Sequence, residues 1–167
     1  MGWTDALEKA YSEQITMEYG AAYSYLAKAA WLDENDWPGM ADWMKAQSAE
    51  EITHALKFLE FVLDREGAVS LGALPAPQQD FTSPLEVFQH ALAQEKAVTA
   101  SINELYALAV EDKDFASRPL LDWFVDEQVE EESTISQIGV DLERASGEKH
   151  TLLMLDREIG GRSGDED

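Results

Sequence analysis

The segment SAEEITHALKFLEFVLD, from Ser48 to Asp64, contains an apolar helical stripe that polar residues interrupt. Phe58, Phe61 and Val62 recur at the spacing of one helix face. When this stripe is continued one and two turns back, it reaches His54 and Glu51. An imidazole and a carboxylate therefore occupy positions at which a purely structural helix would place leucine.

Composition limits the classes of function. The chain has 167 residues, of which 45% are hydrophobic, so it can form one compact domain with a core. It has no cysteine, which excludes disulfides and thiolate metal sites. A formal charge of -22 argues against nucleic acid and anionic membranes as partners and favours cations.

Targeting signals are not apparent in the sequence. No apolar run approaches the length of a membrane span, and the segment MGWTDALEKAYSEQ lacks the basic and apolar regions of a signal peptide. We therefore expect a cytoplasmic protein. An organelle, after removal of a targeting segment, is the other location that fits.

Proline and glycine separate four long helical segments from one another and from a short fifth segment. Within a single domain of residues 1–167, we predict helices over about 5–33, 37–66, 84–112, 117–145 and 148–160. Asp36 is expected to cap the start of the second helix, with Pro38 in its first turn. Gly67 is expected to cap the end of the same helix, and Ser117 the start of the fourth.

The connections between these helices predict the topology. Each long helix spans roughly 40 Å at a rise of ~1.5 Å per residue. The first and third connections are short, so each joins antiparallel neighbours. The second connection, of about 17 residues, can reach roughly 55 Å and can run the full length of the bundle. The prediction is an all-α architecture, namely a four-helix bundle with one long crossover and a short C-terminal fifth helix.

Polar residues interrupt the inner stripe of every long helix near its midpoint. These residues are Glu18 on the first helix, Glu51 and His54 on the second, Glu95 on the third, and Gln128 and Glu131 on the fourth. In a bundle of equally long helices, the midpoints lie at one level whichever way each helix runs. We therefore expect all of these side chains in one cross-section.

Four carboxylates in an apolar cross-section require compensation, because each unpaired buried charge costs several kcal/mol. No lysine or arginine is apparent at this level of the stripes. Divalent iron, manganese or zinc would compensate the charge, although the lack of thiolate disfavours a structural zinc site. Di-iron bundles use single glutamates and Glu-x-x-His pairs. Here Glu18 and Glu95 are the single acids and Glu51 to His54 is one such pair, but Gln128 and Glu131 replace the second.

The chain resembles ferritin of the non-haem bacterial type over nearly its whole length. The resemblance rests on SEQITMEYGAAYSYL, AEEITHALKF, AQEKAVTASINEL and DWFVDEQVEEE. It implies a first iron held by Glu18, Glu51 and His54, and a second held by Glu51, Glu95 and Glu131, with Glu51 bridging. Gln128 matches the glutamine beside such a site.

The resemblance also implies roles for residues around the two irons. Tyr25 matches a tyrosine that hydrogen-bonds near the centre and can supply an electron; the alternative is an ordinary core tyrosine. Glu50, Glu127 and Glu130 match a third iron site, and the alternative is a solvated acidic helix face.

Two differences from related families limit the comparison. Ile52 stands where bacterioferritins have a haem-ligating methionine, and the fourth helix lacks the second Glu-x-x-His, so we predict no haem. Arg118 and Leu121 stand where animal ferritins have two acids lining a three-fold channel. The path of iron into a cage is therefore not readable from sequence, and Asp122 and Asp126 are the remaining candidates.

The function implied by the resemblance is iron storage with ferroxidase activity. Fe(II) would be oxidised by O₂ and stored as a ferric oxyhydroxide mineral inside a homo-oligomeric cage of 24 subunits. An apolar face on the last helix, formed by Leu152, Leu153, Leu155 and Ile159, is expected to be buried at a symmetry axis. Two alternatives stay open: a di-iron oxidase or peroxidase that acts on a small molecule without storing mineral, and a non-catalytic partner-binding bundle.

Overall fold

The computed structural model describes residues 3–162, so residues 1–2 and 163–167 of the expected domain lie outside it. The described residues form five α-helices and no strand. They are α1 (Asp5–Glu34), α2 (Pro38–Asp64), α3 (Pro84–Glu111), α4 (Arg118–Arg144) and α5 (Lys149–Arg162). A 3-10 turn, Phe115–Ser117, precedes α4. The predicted all-α class is confirmed. Within residues 3–162, none of the helices combines the length and apolar character needed to cross a membrane.

The long helices associate as a bundle, in which α1 packs along α2 and α3, and α3 packs along α4. Residues 65–83 connect α2 to α3 without a helix or strand. This crossover is fastened to α1, because the Ser70 N–H donates to Ser12 Oγ at 3.1 Å and the Gly72 N–H donates to Thr16 Oγ1 at 3.0 Å. The predicted bundle with one long crossover is confirmed.

Three helices end at a non-glycine residue in the left-handed backbone region. These residues are Asp36 (φ 65°) after α1, Glu66 (φ 58°) after α2 and Lys113 (φ 58°) after α3. In each case the next N–H donates back to the carbonyl five residues earlier, which satisfies an otherwise free helix carbonyl. Asp36 therefore ends α1. The expectation that it caps the start of α2 is wrong, because Trp37 occupies that position. Similarly, the residue in the left-handed conformation at the end of α2 is Glu66, and the expected capping residue, Gly67, follows it.

Asp156 of α5 caps the start of α2. The N-cap residue of α2, Trp37, makes no side-chain capping bond. Instead, Asp156 accepts hydrogen bonds from the Met40 N–H at 2.9 Å and the Gly39 N–H at 3.2 Å. The backbones are in close contact, since a Cβ added at Gly39 would lie 1.9 Å from the Asp156 carbonyl oxygen. This contact holds α5 against the end of the bundle.

The apolar residues of α5 face two directions. Ile159 is buried, and Leu152 and Leu155 pack against the core of the same subunit. Leu153 and Met154 point away from the core, with 48% and 59% of their surface exposed. The expectation that Leu152, Leu153, Leu155 and Ile159 form one face for burial at a symmetry axis is therefore wrong. Three of these residues cover the bundle of their own subunit, and only Leu153 points away from it.

The core consists of two apolar clusters, to which all four long helices contribute. The α5-side cluster includes Tyr25, Leu32, Met40, Met44, Phe88, Ile135, Ile138, Leu142 and Ile159. The opposite cluster includes Leu7, Tyr11, Ile15, Phe58, Val62, Ile102, Leu121 and Phe124. Along every long helix, the residues of one cluster are separated from those of the other by buried polar side chains. We call Glu18, Glu51, His54, Glu95, Gln128 and Glu131 the polar layer.

Candidate metal centre

Every residue of the polar layer is buried, although five of the six are ionisable or able to bind an ion. Glu18 and Glu95 have no exposed surface, and Glu131 has 7%. The helical spacing explains their burial, because each lies on the inner stripe of its helix between apolar residues of the two clusters. The cross-section expected from the helix midpoints is therefore present.

Glu18, Glu51 and His54 form the tightest group in this layer. One potential ligand atom from each lies within 4.8 Å of the other two. His54 Nδ1 lies 3.2 Å from Glu51 Oε2, and Gln14 Nε2 donates to Glu18 Oε1 at 2.7 Å. Glu18 Oε2 is buried without a hydrogen-bond donor. A buried carboxylate oxygen with no donor, beside a second carboxylate and an imidazole, is the arrangement that a divalent cation would complete.

Glu95 also belongs to the polar layer and is held by two side chains. Tyr25 Oη donates to Glu95 Oε1 at 2.7 Å, and Gln128 Nε2 lies 3.2 Å from Glu95 Oε2. The negative charges of Glu95, Glu18 and Glu131 all act on Glu51. Glu51 is thus close enough to the other three carboxylates to be affected by their charges, and its bridging position stays a prediction.

The pKa values of Glu18 and Glu51 show the effect of burial without a metal ion. Burial raises the pKa of Glu18 to about 7, and its neighbours Glu51 and Gln14 oppose this by a smaller amount. Burial also raises the pKa of Glu51 well above its ordinary value, and the charges of Glu95 and Glu18 raise it further. The empty layer therefore holds protons more tightly than free glutamates do, and a divalent ion bound there would have to replace them.

His54 is prepared to act as a neutral ligand. Burial, together with a smaller effect of the nearby charge of Lys57, lowers the pKa of its imidazole to about 4. The ring packs edge-on against Trp123 and Phe124, at centroid distances of 5.6 and 5.5 Å. At pH 7 the ring is uncharged and offers a nitrogen lone pair to a metal.

Tyr25 keeps its phenolic proton. It is fully buried, and burial followed by the charge of Glu95 raises its pKa well above 10. The phenol therefore acts as the hydrogen-bond donor to Glu95.

A second acidic group adjoins the polar layer. Glu50, Glu127 and Glu130 line a cavity of about 380 Å³ together with Glu131. Ligand atoms of Glu50, Glu127 and His54 lie within 4.8 Å of one another. Glu50 and Glu127 are half-buried and Glu130 is exposed. The three predicted third-site residues therefore meet at a cavity that Glu131 of the polar layer also lines, and His54 lies close to two of them.

Lys28 is the residue near the centre that sequence reasoning missed. The stripes had suggested no lysine or arginine at this level, but Lys28 is completely buried, and its Nζ lies 5.2 Å from the centroid of the Tyr25 ring. Burial lowers its pKa to about 8, an effect that the charge of Glu95 opposes. The spacing of residues 25, 28 and 32 was the available signal, since it places Lys28 on the inner stripe of α1.

The residues considered for an iron path differ in position. Leu121 is fully buried in the opposite cluster, and Arg118 is exposed at the start of α4. Asp122 accepts a hydrogen bond from Tyr106 Oη at 2.7 Å, and Asp126 is exposed. Leu121 is therefore a core residue, whereas the role of Asp122 and Asp126 stays a prediction.

Comparison with known proteins found one matching family model, related sequences and similar solved structures. The family model described as "Ferritin-like domain" matches residues 8–145. The bacterial non-heme ferritin of Staphylococcus haemolyticus is 39% identical over 163 residues, covering 98% of each chain. That of Staphylococcus saprophyticus is 40% identical over 157 residues, covering 94% of each. An open pore ferritin from the hyperthermophilic archaeon Archaeoglobus fulgidus superposes with a TM-score of 0.92 at 38% identity, covering 94% of this chain and 97% of the other.

Proposed function

This chain belongs to the ferritin family, and from that we propose that it is an iron-storage protein with ferroxidase activity. Fe(II) and O₂ are its substrates, and a ferric oxyhydroxide mineral is its product. The observation that carries this proposal is the polar layer: four buried carboxylates and a neutral imidazole from four helices, with one carboxylate oxygen lacking any donor. No other feature of the described residues offers buried oxygen ligands in this number.

We assign two iron positions to the layer. Glu18, Glu51 and His54 hold the first iron, and Glu51, Glu95 and Glu131 hold the second, so that Glu51 bridges. The compact first group and the position of Glu51 among the other acids support this assignment. Oxygen-rich ligand sets with one imidazole suit ferrous iron, and two ions sharing a carboxylate can deliver electrons to one O₂ molecule.

The remaining residues prepare the ligands. Gln14 orients Glu18, while Tyr25 and Gln128 orient Glu95. Because burial raises the pKa of Glu18 to about 7 and the pKa of Glu51 well above its ordinary value, the metal-free layer holds protons at neutral pH, and iron binding releases them. Glu50, Glu127 and Glu130 then form the third site, and their cavity is the exit of ferric iron towards the mineral.

We further propose that 24 subunits form a hollow shell. The fold-level likeness to ferritins and the exposed Leu153 and Met154 on α5 support this assembly. Two adjacent apolar side chains on a short terminal helix suit burial against symmetry-related copies.

The test is an anaerobic Fe(II) titration by calorimetry, followed by oxygen addition with absorbance recorded in a stopped-flow instrument. We expect rapid oxidation of about two irons per subunit. At large excess of iron, we expect continued uptake into a soluble mineral that co-elutes with the protein shell. Glu51→Gln removes the bridging carboxylate and should abolish the fast phase, whereas Glu60→Gln, on the exposed face of α2, should leave it unchanged.

Each other outcome has a definite meaning. Oxidation that stops at two irons, with the excess precipitating in solution, would favour the di-iron oxidase alternative. Absence of tight iron binding, or an unaltered fast phase in the Glu51→Gln variant, would contradict the assignment of the polar layer.

A further inference from the structure

Trp123 of α4 is an oxidisable ring in direct contact with His54. Its indole packs edge-on against the imidazole, with 5.6 Å between the ring centroids and an angle of 75° between the planes. Among the described residues, the other ring in contact with His54 is that of Phe124, and a benzene ring is far harder to oxidise than an indole. Trp123 has 37% of its surface exposed, so it connects a buried candidate ligand to solvent.

The ammonium group of Lys57 lies over the indole of Trp123, with its Nζ 4.2 Å from the ring centroid. A cation in this position is attracted to the electron-rich face of the neutral ring, and the attraction becomes repulsion when the ring loses an electron. The contact therefore raises the oxidation potential of Trp123. Only a strong oxidant removes an electron from the ring.

Trp123 is also one helical turn from the second acidic group. On α4 it lies four residues before Glu127, and on α2 Lys57 lies three residues after His54. Ligand atoms of His54, Glu127 and Glu50 lie within 4.8 Å of one another. An iron ion bound to this group would therefore lie close to the same imidazole that the indole contacts.

We propose that Trp123 is an electron donor to iron bound at His54, and that it supplies the second electron when hydrogen peroxide reacts at a centre that holds a single Fe(II). Trp123 acts through the ring of His54 and is not itself a ligand. The inference rests on the proposed function in one respect, namely that the polar layer binds Fe(II).

The electron balance shows why such a donor is needed. Reduction of hydrogen peroxide to two molecules of water breaks the O–O bond and takes up two electrons and two protons. A single Fe(II) gives one electron and becomes Fe(III), and without a second donor the reaction releases a hydroxyl radical. Trp123 gives the second electron and its indole N–H proton, solvent gives the other proton, and the indole is left as a neutral radical. A later Fe(II) at the second acidic group restores the ring by giving one electron, while solvent returns the proton.

The test mixes anaerobic protein, loaded with sub-stoichiometric Fe(II), with hydrogen peroxide and records electron paramagnetic resonance spectra after freeze-quenching. Protein made with ring-deuterated tryptophan, and separately with ring-deuterated tyrosine, distinguishes a tryptophan radical from one on Tyr25. Trp123→Phe removes the donor, Trp123→Tyr keeps an oxidisable ring, and Trp31→Phe is the matched control. Trp31 packs against the α5-side cluster, about 20 Å along α1 from Glu18.

We expect a tryptophan radical in the wild type and in Trp31→Phe, its loss in Trp123→Phe, and a tyrosine radical in its place in Trp123→Tyr. Hydroxyl radical, measured with a spin trap, should increase in Trp123→Phe and return towards the wild-type level in Trp123→Tyr. A tryptophan radical that persists in Trp123→Phe, or a wild type that forms none, would overturn the inference and leave the proposed function intact.

Calorimetry with Zn²⁺, which cannot be oxidised, separates electron donation from a merely structural role. Loss of the radical in Trp123→Phe with Zn²⁺ binding retained supports electron donation. Loss of both the radical and Zn²⁺ binding in Trp123→Phe and in Trp123→Tyr would show that the ring only positions His54, which overturns the inference. Absence of Fe(II) binding in the wild type would overturn both the inference and the proposed function.

Discussion

Glu18 illustrates at a single residue why the polar layer is unstable when it is ionised and empty. Its carboxylate has no exposed surface, and only one of its two oxygens receives a hydrogen bond. Burial therefore raises its pKa to about 7 from the ordinary value of 4.5. The folded protein binds this proton more tightly than the unfolded chain does.

The pH dependence of stability tests this description. The contribution of Glu18 is fully present below pH 4.5 and is lost as the pH rises to about 7, because the folded state must then either keep the proton or bury a charge. Relative to wild type, metal-free Glu18→Gln should therefore gain about 3 kcal/mol of unfolding free energy between pH 4.5 and pH 8. Urea unfolding in the presence of a chelator measures the difference in unfolding free energy between the variant and wild type. His54 is present in both proteins, so its own titration cancels in this difference.

The matched control is Glu60→Gln, which removes an exposed carboxylate of α2. A stability difference between Glu18→Gln and wild type that does not change with pH would contradict the buried, protonated state of Glu18. Added Zn²⁺ should reverse the order at pH 7, since the wild type gains a bound ion and the variant loses a ligand.

At the scale of the elements, α5 is fixed to α2 by one side chain. Asp156 satisfies two of the N–H groups at the start of α2, which would otherwise lack partners. We expect Asp156→Ala to cost about 2 kcal/mol of unfolding free energy through loss of this cap. We also expect faster hydrogen exchange of the Gly39 and Met40 amides and of α5.

Glu158→Ala is the comparison for this variant. It removes an exposed carboxylate of the same helix, which pairs with Arg162 at the surface. Exposed ion pairs of this kind contribute little, so we expect a change below about 0.5 kcal/mol. Equal effects of the two substitutions would show that Asp156 does not join α5 to α2.

The elements also show which features the sequence could predict. The helices and the polar layer were predictable because they depend on one-dimensional spacing: each of Glu18, Glu51, Glu95 and Glu131 interrupts an apolar stripe near the middle of its helix. Equal helix lengths then place these positions at one depth. The positions of these residues could therefore be predicted without knowing which helices are in contact.

The features that were missed depend on tertiary contacts or on rare backbone conformations. Asp36 closes α1 in a left-handed conformation that glycine usually adopts, so it was assigned to the wrong helix. Ser117 makes no side-chain cap, since its hydroxyl donates to Asp114 and accepts from Tyr11. Asp156 lies 116 residues from the amide of Met40 that it caps. Lys28 was missed because lysine is ordinarily an exposed residue, although the helical spacing places this one on the inner stripe of α1.

At the scale of the whole molecule, the two apolar clusters and the polar layer extend through the same four helices. Because each long helix contributes to both clusters, we propose that the chain folds as one domain. The formal charge of -22 disfavours association with anionic partners and favours association with cations.

The proposed shell makes a prediction about α5. Leu153 and Met154 are exposed in the subunit, so substitution of both by aspartate should leave the subunit folded but weaken the assembly. We expect the double variant to dissociate at a lower urea concentration than wild type, as measured by light scattering coupled to size-exclusion chromatography. Ser136→Asp adds a negative charge to an exposed position on α4 and is the control. Dissociation of the double variant at the same urea concentration as wild type would exclude α5 from the subunit contacts.

The most direct test of the metal centre is anomalous X-ray diffraction at the iron edge, from crystals loaded with Fe(II) under anaerobic conditions. We expect two peaks within the polar layer of each subunit, one among Glu18, Glu51 and His54 and the other among Glu51, Glu95 and Glu131. Iron found only at the cavity of Glu50, Glu127 and Glu130, or an empty polar layer at saturating Fe(II), would contradict this expectation.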